Sequence, residues 1–184
     1  MGSLGTLAKQ NQANVPYRVE KIDHIDAQIL DLLQQRGRIK RKDIAEAVGL
    51  SLPSVSERMR KLEARGVVTG YHAALDARRL GADITAFVRV LSSSSADYPS
   101  FVADVTALDE VQELHSITGE GSHLIKLRVR NTAALEKLLA RLQALPGVRG
   151  TQTSIVLSSL KETRYLPVEA DTLYEPVGAT NGAA

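Results

Sequence analysis

The stretch from Arg41 to Gly66 constrains the fold of this chain more than any other, because it reads as two helices joined by a tight turn. Small and apolar residues recur at helical spacing in both halves, and Gly49 between them permits the left-handed backbone that ends a helix. Ser51 then supplies an N-cap, and Pro53 is tolerated after it because N–H groups in a first helical turn have no intrahelical partner. The pattern predicts a helix-turn-helix.

The polar face of the second of these helices predicts contact with DNA. Short hydroxyl side chains lie near its start and cations lie further along, which suits a helix that enters the major groove N-terminus first. Hydroxyl and guanidinium groups can reach base edges, while Lys and Arg neutralise phosphates. The alternative is the ordinary solvated face of an amphipathic helix pair. We expect base contacts from Ser54, Ser56, Glu57 and Arg60 and phosphate contacts from Lys40, Arg41, Arg58 and Lys61, and we assign Ser51 and Pro53 to the same DNA-binding site.

The positive charge of the chain is concentrated around this helix pair. The whole chain has a formal net charge of only +2. From Arg36 to Arg65 there are nine Lys or Arg and four Asp or Glu, so this segment alone carries nine minus four, or +5. A local basic patch is the electrostatic footprint that binding to a nucleic acid requires.

Composition excludes several other classes of protein. Hydrophobic residues make up 43% of the chain, which is enough for a core, and there is no cysteine for a disulfide or a thiolate metal site. No apolar run approaches a membrane span, and the N-terminus lacks the apolar core of a signal peptide. His115 and His123 would fall on opposite faces if a four-residue loop pairs Thr118 with His123, which is poor ligand geometry. We therefore expect a cytoplasmic protein with no metal and no cofactor.

A further helix precedes the helix-turn-helix. From Asp23 to Arg36, apolar residues recur at helical spacing, and Gly37 ends the pattern. This helix would complete a three-helix DNA-binding domain over residues 21–66. Residues 67–81 would form a connector, with a short strand at Val67, Val68 and Tyr71.

The pattern changes from helix to strand after residue 81. We predict strands at 84–91, 111–118, 123–130 and 148–157, and helices at 98–108 and 132–145. The order βαββαβ predicts a ferredoxin-like sandwich over residues 82–161, so the whole chain belongs to the α+β class.

The strands of this second domain lack a clearly polar face. Ala86, Val88 and Val90 would serve one face of the first strand, while Phe87 and Leu91 serve the other. A half-solvated sheet should alternate apolar and polar residues. We therefore expect the helix-free face to pack on a second copy and form a homodimer; a tolerated scatter of surface hydrophobic residues is the alternative.

The segments outside the two domains are polar or rich in small residues. We expect residues 1–20 to form a flexible arm, or one that packs on a partner subunit, and the four serines at 92–95 to form a flexible loop. The tail at 162–184 would be extended, with contacts to a neighbour through Tyr165, Leu166 and Tyr174.

Taken together, several short motifs resemble one family. They are Ile25-Asp26-Ala27-Gln28-Ile29-Leu30, Ile44-Ala45 with Val48-Gly49-Leu50-Ser51, Arg58 with Leu62-Glu63 and Gly66-Val67-Val68, Gly70-Tyr71, and Thr118-Gly119-Glu120. The chain resembles the leucine-responsive/asparagine regulators, the Lrp/AsnC or feast/famine family of transcription factors. The resemblance implies a winged helix-turn-helix domain and an effector-sensing domain in dimers that assemble further, often to octamers, with DNA wrapped or bent around the assembly.

The resemblance also implies a site for a small effector, usually an amino acid, between sensing domains near the second hairpin. The usual family pattern after Thr-Gly is an acidic or polar residue, an aromatic residue and Asp, whereas this chain has Glu120-Gly121-Ser122-His123. With Ser122 in place of Asp, Glu120 would take the ammonium group, or the ligand differs, or the site is empty. A plain hairpin loop is the alternative. The candidate effector-binding residues are Ser116, Thr118, Gly119, Glu120, Gly121, Ser122 and His123.

Two other functions fit parts of this pattern. One is an architectural protein that wraps DNA without an effector. The other is an enzyme, because some siroheme decarboxylases resemble the same two-domain family. The cationic helix argues against a decarboxylase, which has no need of it. We therefore predict a regulator rather than an enzyme.

Overall fold

The computed structural model describes residues 21–92 and 97–170, and these form two compact units. Residues 21–74 and 163–170 belong to one unit, and residues 75–92 and 97–162 belong to the other. The predictions for the arm at 1–20, for serines 93–95 and for Tyr174 lie outside the described residues. Within those residues, no helix has both the length and the apolar composition needed to span a membrane.

The first unit contains the three predicted helices. They are α1 (His24–Gln35), α2 (Arg41–Val48) and α3 (Leu52–Ala64). Gly49 ends α2 with a φ of 68°, and the Ser51 side chain accepts a hydrogen bond from the Ser54 amide at 3.3 Å to cap α3. Both termini therefore follow the local rules read from the sequence. The helices enclose a core whose fully buried side chains include Ile29, Ile44, Val55 and Leu62.

The short strand predicted at Val67, Val68 and Tyr71 is not formed. The amides of Val67 and Val68 instead both donate to the Leu62 carbonyl, at 2.9 and 3.2 Å, and both side chains pack on the three-helix core. Gly66 permits this return because its φ is 71°. The predicted strand is therefore replaced by a helix C-terminal turn, and the division between the units falls at Leu75, inside the predicted connector.

The second unit has the predicted βαββαβ order. Its elements are β1 (Ile84–Ser92), α4 (Tyr98–Thr106), β2 (Val111–Ser116), β3 (His123–Val129), α5 (Thr132–Gln143) and β4 (Val148–Ile155). They form one four-stranded antiparallel sheet in the order β2-β3-β1-β4. The Asn131 side chain caps α5 by accepting from the Ala134 amide at 2.9 Å.

The two faces of this sheet differ, although the sequence pattern showed no clearly polar face. Alternate residues of both strands are buried in one core with residues of α4 and α5. The opposite face carries Phe87, which is 37% exposed, and two cations of β3, Lys126 and Arg128. Both cations bond the carboxylate of Glu162. This face is therefore partly ionic as well as partly apolar.

The β2–β3 hairpin differs from the prediction in its register. Ser116 pairs with His123, and β2 ends there rather than at Thr118, so the connecting loop runs over residues 117–122. The loop is wider because Gly119 and Gly121 both adopt positive φ, and because the Ser122 amide leaves the hairpin to donate to the Val90 carbonyl at 2.9 Å.

Candidate functional site

The exposed side of α3 carries the residues predicted to contact DNA. Arg60 and Lys61 have side chains that are 65% and 62% exposed. Arg60 donates from Nε and Nη2 to the two carboxylate oxygens of Glu57, at 2.9 and 2.7 Å. These bonds are the first cause of a lowered pKa at Glu57 and a raised pKa at Arg60. Exposed ion pairs are weak, so either side chain can give up this ion pair and form a hydrogen bond to a base edge instead.

The start of α3 positions two of the predicted hydroxyls. The Ser51 hydroxyl is 2.8 Å from the Ser54 hydroxyl, in addition to its capping bond. Ser51 therefore has a structural role as N-cap, and Pro53 occupies the first turn beside it. Ser54 is exposed on the same turn, and Lys40 and Arg41 are exposed at the start of α2.

Arg58 lies in a different environment from the other cations of α3. Its Nη1 group donates to Asp23 and to Asp26 of α1, at 2.7 Å in both cases. The bonds to these two carboxylates raise the pKa of Arg58. Burial alone would raise the pKa of Asp23, but hydrogen bonds from the Asp26 amide and from Arg58 lower it below its usual value. Arg58 therefore has two carboxylate partners on α1, and its assignment to a phosphate stays a prediction.

The second unit contains a cavity of about 400 Å³ beside the β2–β3 hairpin. This volume lies within the range of small-molecule sites. Three of the predicted effector-binding residues line it, and these are Ser116, Ser122 and His123. The other lining residues are Ser92, Asp97, Tyr98, Phe101, Ile117, Pro146 and Gly147.

His123 is the most buried polar group of this cavity, with 3% of its surface exposed. Its ring stacks obliquely against Tyr98 and Phe101, with centroids 5.0 and 4.7 Å away. Burial lowers its pKa, so the ring is neutral at physiological pH. The Ser122 hydroxyl lies 2.8 Å from Nδ1, while Nε2 is buried and has no hydrogen-bond partner among residues 21–92 and 97–170.

The remaining predicted effector residues lie in the hairpin loop and do not line the cavity. Thr118, Gly119, Glu120 and Gly121 are not among its lining residues, and the Glu120 side chain is 83% exposed, 3.8 Å from Arg89. A Cβ added at Gly121 would come within 2.7 Å of the Arg89 Cγ. Gly121 is therefore needed for close packing as well as for its φ of 87°.

Sequence reasoning missed the part of the cavity that comes from other elements. Asp97 and Tyr98 lie at the start of α4, and Pro146 and Gly147 follow α5. The Asp97 carboxylate makes no capping bond to α4, and a Cβ at Gly147 would lie 2.8 Å from Asp97 Oδ2. The small residue at Gly147 is the one signal in the sequence that could have indicated this close approach.

Known proteins match both units. Residues 22–69 match the family described as winged helix-turn-helix DNA-binding, and residues 85–166 match the Lrp/AsnC ligand binding domain. The leucine-responsive regulatory protein of Haemophilus influenzae is 38% identical over 152 residues, which are 81% of this chain and 92% of that relative. The chain belongs to the Lrp/AsnC family. This Lrp/AsnC protein is a DNA-binding transcriptional regulator with a helix-turn-helix domain and a ligand-binding domain.

Solved Lrp/AsnC structures have the same fold. Escherichia coli AsnC aligns with a TM-score of 0.76 at 31% identity, covering 81% of this chain and 100% of AsnC. A transcriptional regulator of Neisseria meningitidis, solved as a complex with L-methionine, aligns with a TM-score of 0.76 at 31% identity, covering 80% and 97% of the two chains. The α+β class and the two-part architecture predicted from the sequence are confirmed.

Proposed function

We propose that this Lrp/AsnC regulator contacts DNA bases through Ser54, Ser56, Glu57 and Arg60 of α3. Phosphate contacts then come from Lys40, Arg41 and Lys61. The support for this assignment is that α3 has a serine-capped, hydroxyl-bearing start and carries Ser54, Glu57, Arg60 and Lys61 exposed, with Ser56 half-buried. Lys40 and Arg41 are exposed at the start of α2. Arg58 is omitted from the set because it is held by α1.

The effector is an amino acid, and its site is the cavity beside the hairpin. The observation that carries this proposal is a cavity with one carboxylate and one neutral imidazole among the described lining residues. A carboxylate is a favourable partner for an ammonium group, and Asp97 lines the cavity whereas Glu120 does not, so Asp97 replaces Glu120 as its partner. The ligand carboxylate accepts from His123 Nε2, which carries the ring proton when Ser122 donates to Nδ1. Ser92 then donates to the Ser122 hydroxyl, 2.8 Å away. The ligand side chain lies against Tyr98 and Phe101.

The experiment is a thermal-shift screen of amino acids against the full chain. A ligand at about 100 times its Kd stabilises the native state by about 2.7 kcal/mol, so a binder raises the melting temperature. Asp97→Asn keeps the size of the side chain and should abolish the shift, whereas Glu120→Gln, in the hairpin but outside the cavity, should keep it. If Glu120→Gln abolishes the shift and Asp97→Asn does not, the ligand lies at the exposed hairpin instead.

The regulator acts as a homodimer, which assembles further to an octamer, in the cytoplasm where its DNA lies. Support for the dimer comes from the helix-free sheet face, where Phe87 is 37% exposed. A two-fold dimer presents two copies of α3 to two half-sites. Sedimentation of the parent protein and of Phe87→Glu tests the interface, because a charge at this position should shift the protein toward monomer.

A further inference from the structure

The outer face of α1, at Asp31 and Gln34, binds an extended stretch of backbone from the same unit, to which residues 163–170 belong. Asp31 and Gln34 are three residues apart, so their side chains project from one face of the helix. Gln34 Oε1 accepts from the Leu166 amide at 2.7 Å, and Gln34 Nε2 donates to the Leu166 carbonyl at 2.9 Å. One side chain therefore satisfies both backbone groups of Leu166, as a neighbouring strand would.

The residues on either side of Leu166 add two further contacts. The Tyr165 hydroxyl donates to Asp31 Oδ1 at 2.7 Å, and this hydrogen bond is the first cause of a raised pKa at Tyr165. Gln35 donates to the other carboxylate oxygen of Asp31 at 2.7 Å, so the acceptor is already oriented from within α1. Val168 is half-buried and packs against the three-helix core.

The sequence of this segment favours the conformation that the site requires. Pro167 restricts the residue before it to extended backbone, and that residue is Leu166. In an extended residue the N–H and C=O groups point to the same side, where the Gln34 amide meets both. The Tyr165 amide also donates to the Thr163 hydroxyl at 3.0 Å. The Leu166 side chain is 70% exposed, so its backbone rather than its side chain makes the contact.

We propose that the outer face of α1 is a docking site for an extended peptide of the pattern Tyr-x-Pro-Val, and that residues 165–168 of the same chain occupy it. Asp31 binds the tyrosine hydroxyl, Gln34 binds the backbone of the next residue, and the core receives the apolar side chain two residues further on. The C-terminal segment is thereby a structural part of the DNA-binding unit. This docking depends on neither the proposed base contacts nor the proposed amino-acid site.

Hydrogen exchange of the full chain, resolved to the Leu166 amide, tests the docking. Gln34→Ala removes both hydrogen bonds to Leu166 and should speed exchange of this amide by about 5- to 30-fold. Gln28→Ala is the matched control, because Gln28 is an exposed glutamine of α1 whose side chain has no hydrogen-bond partner among residues 21–92 and 97–170. Exchange in this control should stay at the parent rate.

Two milder variants keep the test available if Gln34→Ala unfolds α1. Tyr165→Phe removes one hydroxyl and should give a smaller increase than Gln34→Ala. Pro167→Ala removes none of the contacts described above but frees the backbone of Leu166, so exchange should be about 2- to 5-fold faster. An unprotected Leu166 amide in the parent protein would overturn the docking site, as would an equal effect of Gln28→Ala and Gln34→Ala.

A cross-link identifies which copy of the chain supplies the segment. Because the chain has no cysteine, Gln35→Cys combined with Leu166→Cys gives one reactive pair beside the site. A short bismaleimide should join the pair within one chain, so the product has the mass of a single chain on a denaturing gel. Gln28→Cys in place of Gln35→Cys lies about two turns away along α1 and should give much less product. A product with the mass of two chains would assign the segment to a second copy and overturn the proposed occupant.

Discussion

Replacing Arg58 distinguishes a cation of α3 that stabilises the fold from one that binds a DNA phosphate. The guanidinium donates to Asp26, whose side chain is 11% exposed, and to Asp23, whose side chain is 47% exposed. A desolvated hydrogen bond to a carboxylate is worth roughly 1.5–3 kcal/mol, whereas an exposed ion pair contributes roughly 0–1 kcal/mol. The Asp26 bond belongs to the first group and the Asp23 bond to the second. We therefore expect Arg58→Ala to lower the free energy of unfolding of the DNA-binding unit by about 2–3 kcal/mol.

Urea unfolding followed by the helical circular dichroism signal measures this loss. Lys61→Ala is the matched control, because Lys61 is a cation of the same helix whose side chain is 62% exposed. It should leave unfolding unchanged and instead lower the slope of log K against log salt for DNA binding by about 1, as one lost phosphate contact does.

The opposite pattern would refute this reasoning. If Arg58→Ala unfolds at the parent urea concentration and loses DNA affinity with a slope change like that of Lys61→Ala, then Arg58 binds phosphate. A second check is Asp26→Asn combined with Arg58→Met, which removes the charge of both partners. It should recover part of the loss, because leaving one carboxylate unpaired costs more than removing the pair.

Three other predictions concern the DNA contacts, the hairpin and the cavity. Arg60→Ala should cost roughly 1–3 kcal/mol on the cognate site and relax specificity there, and equal losses on cognate and random DNA in a gel-shift assay would contradict base reading. Gly121→Ala should lower the free energy of unfolding by about 1–3 kcal/mol, because its φ is positive and the new Cβ meets Arg89. Because burial lowers the pKa of His123 in the native state, the unfolded state binds a proton more readily than the native state does. The free energy of unfolding is therefore highest above pH 6.5, the pKa of an unfolded histidine, and decreases as the pH falls below that value. His123→Phe should lose this pH dependence in melting experiments, and an unchanged profile would assign it elsewhere.

The fold was predictable because local signals specify most of its elements. The sequence pattern located the nine helices and strands of the described residues, and Gly49 and Ser51 marked helix ends that the structure confirms. The failures occurred where a local signal competed with a longer-range contact. Val67 and Val68 are residue types that favour a strand, but their amides donate to the Leu62 carbonyl in a turn at the end of α3. The hairpin register was wrong because the Ser122 amide bonds Val90 of another strand.

The candidate sites also combine features that local sequence predicts with features that depend on long-range contacts. The exposed face of α3 follows from the period of one helix, so Ser54, Arg60 and Lys61 could be identified by counting residues. The role of Arg58 could not, because its partners lie on another helix, and the period of α3 gives no information about them.

The sequence by itself determined the order of the elements, the capped helix-turn-helix and the alternation of the sheet, since each of these depends on neighbours within a few residues. Tertiary structure alone decided that Asp97 and His123 share a cavity, and that Leu166 lies on Gln34. Those pairs are distant in the chain, and only the packing of helices and strands brings them together.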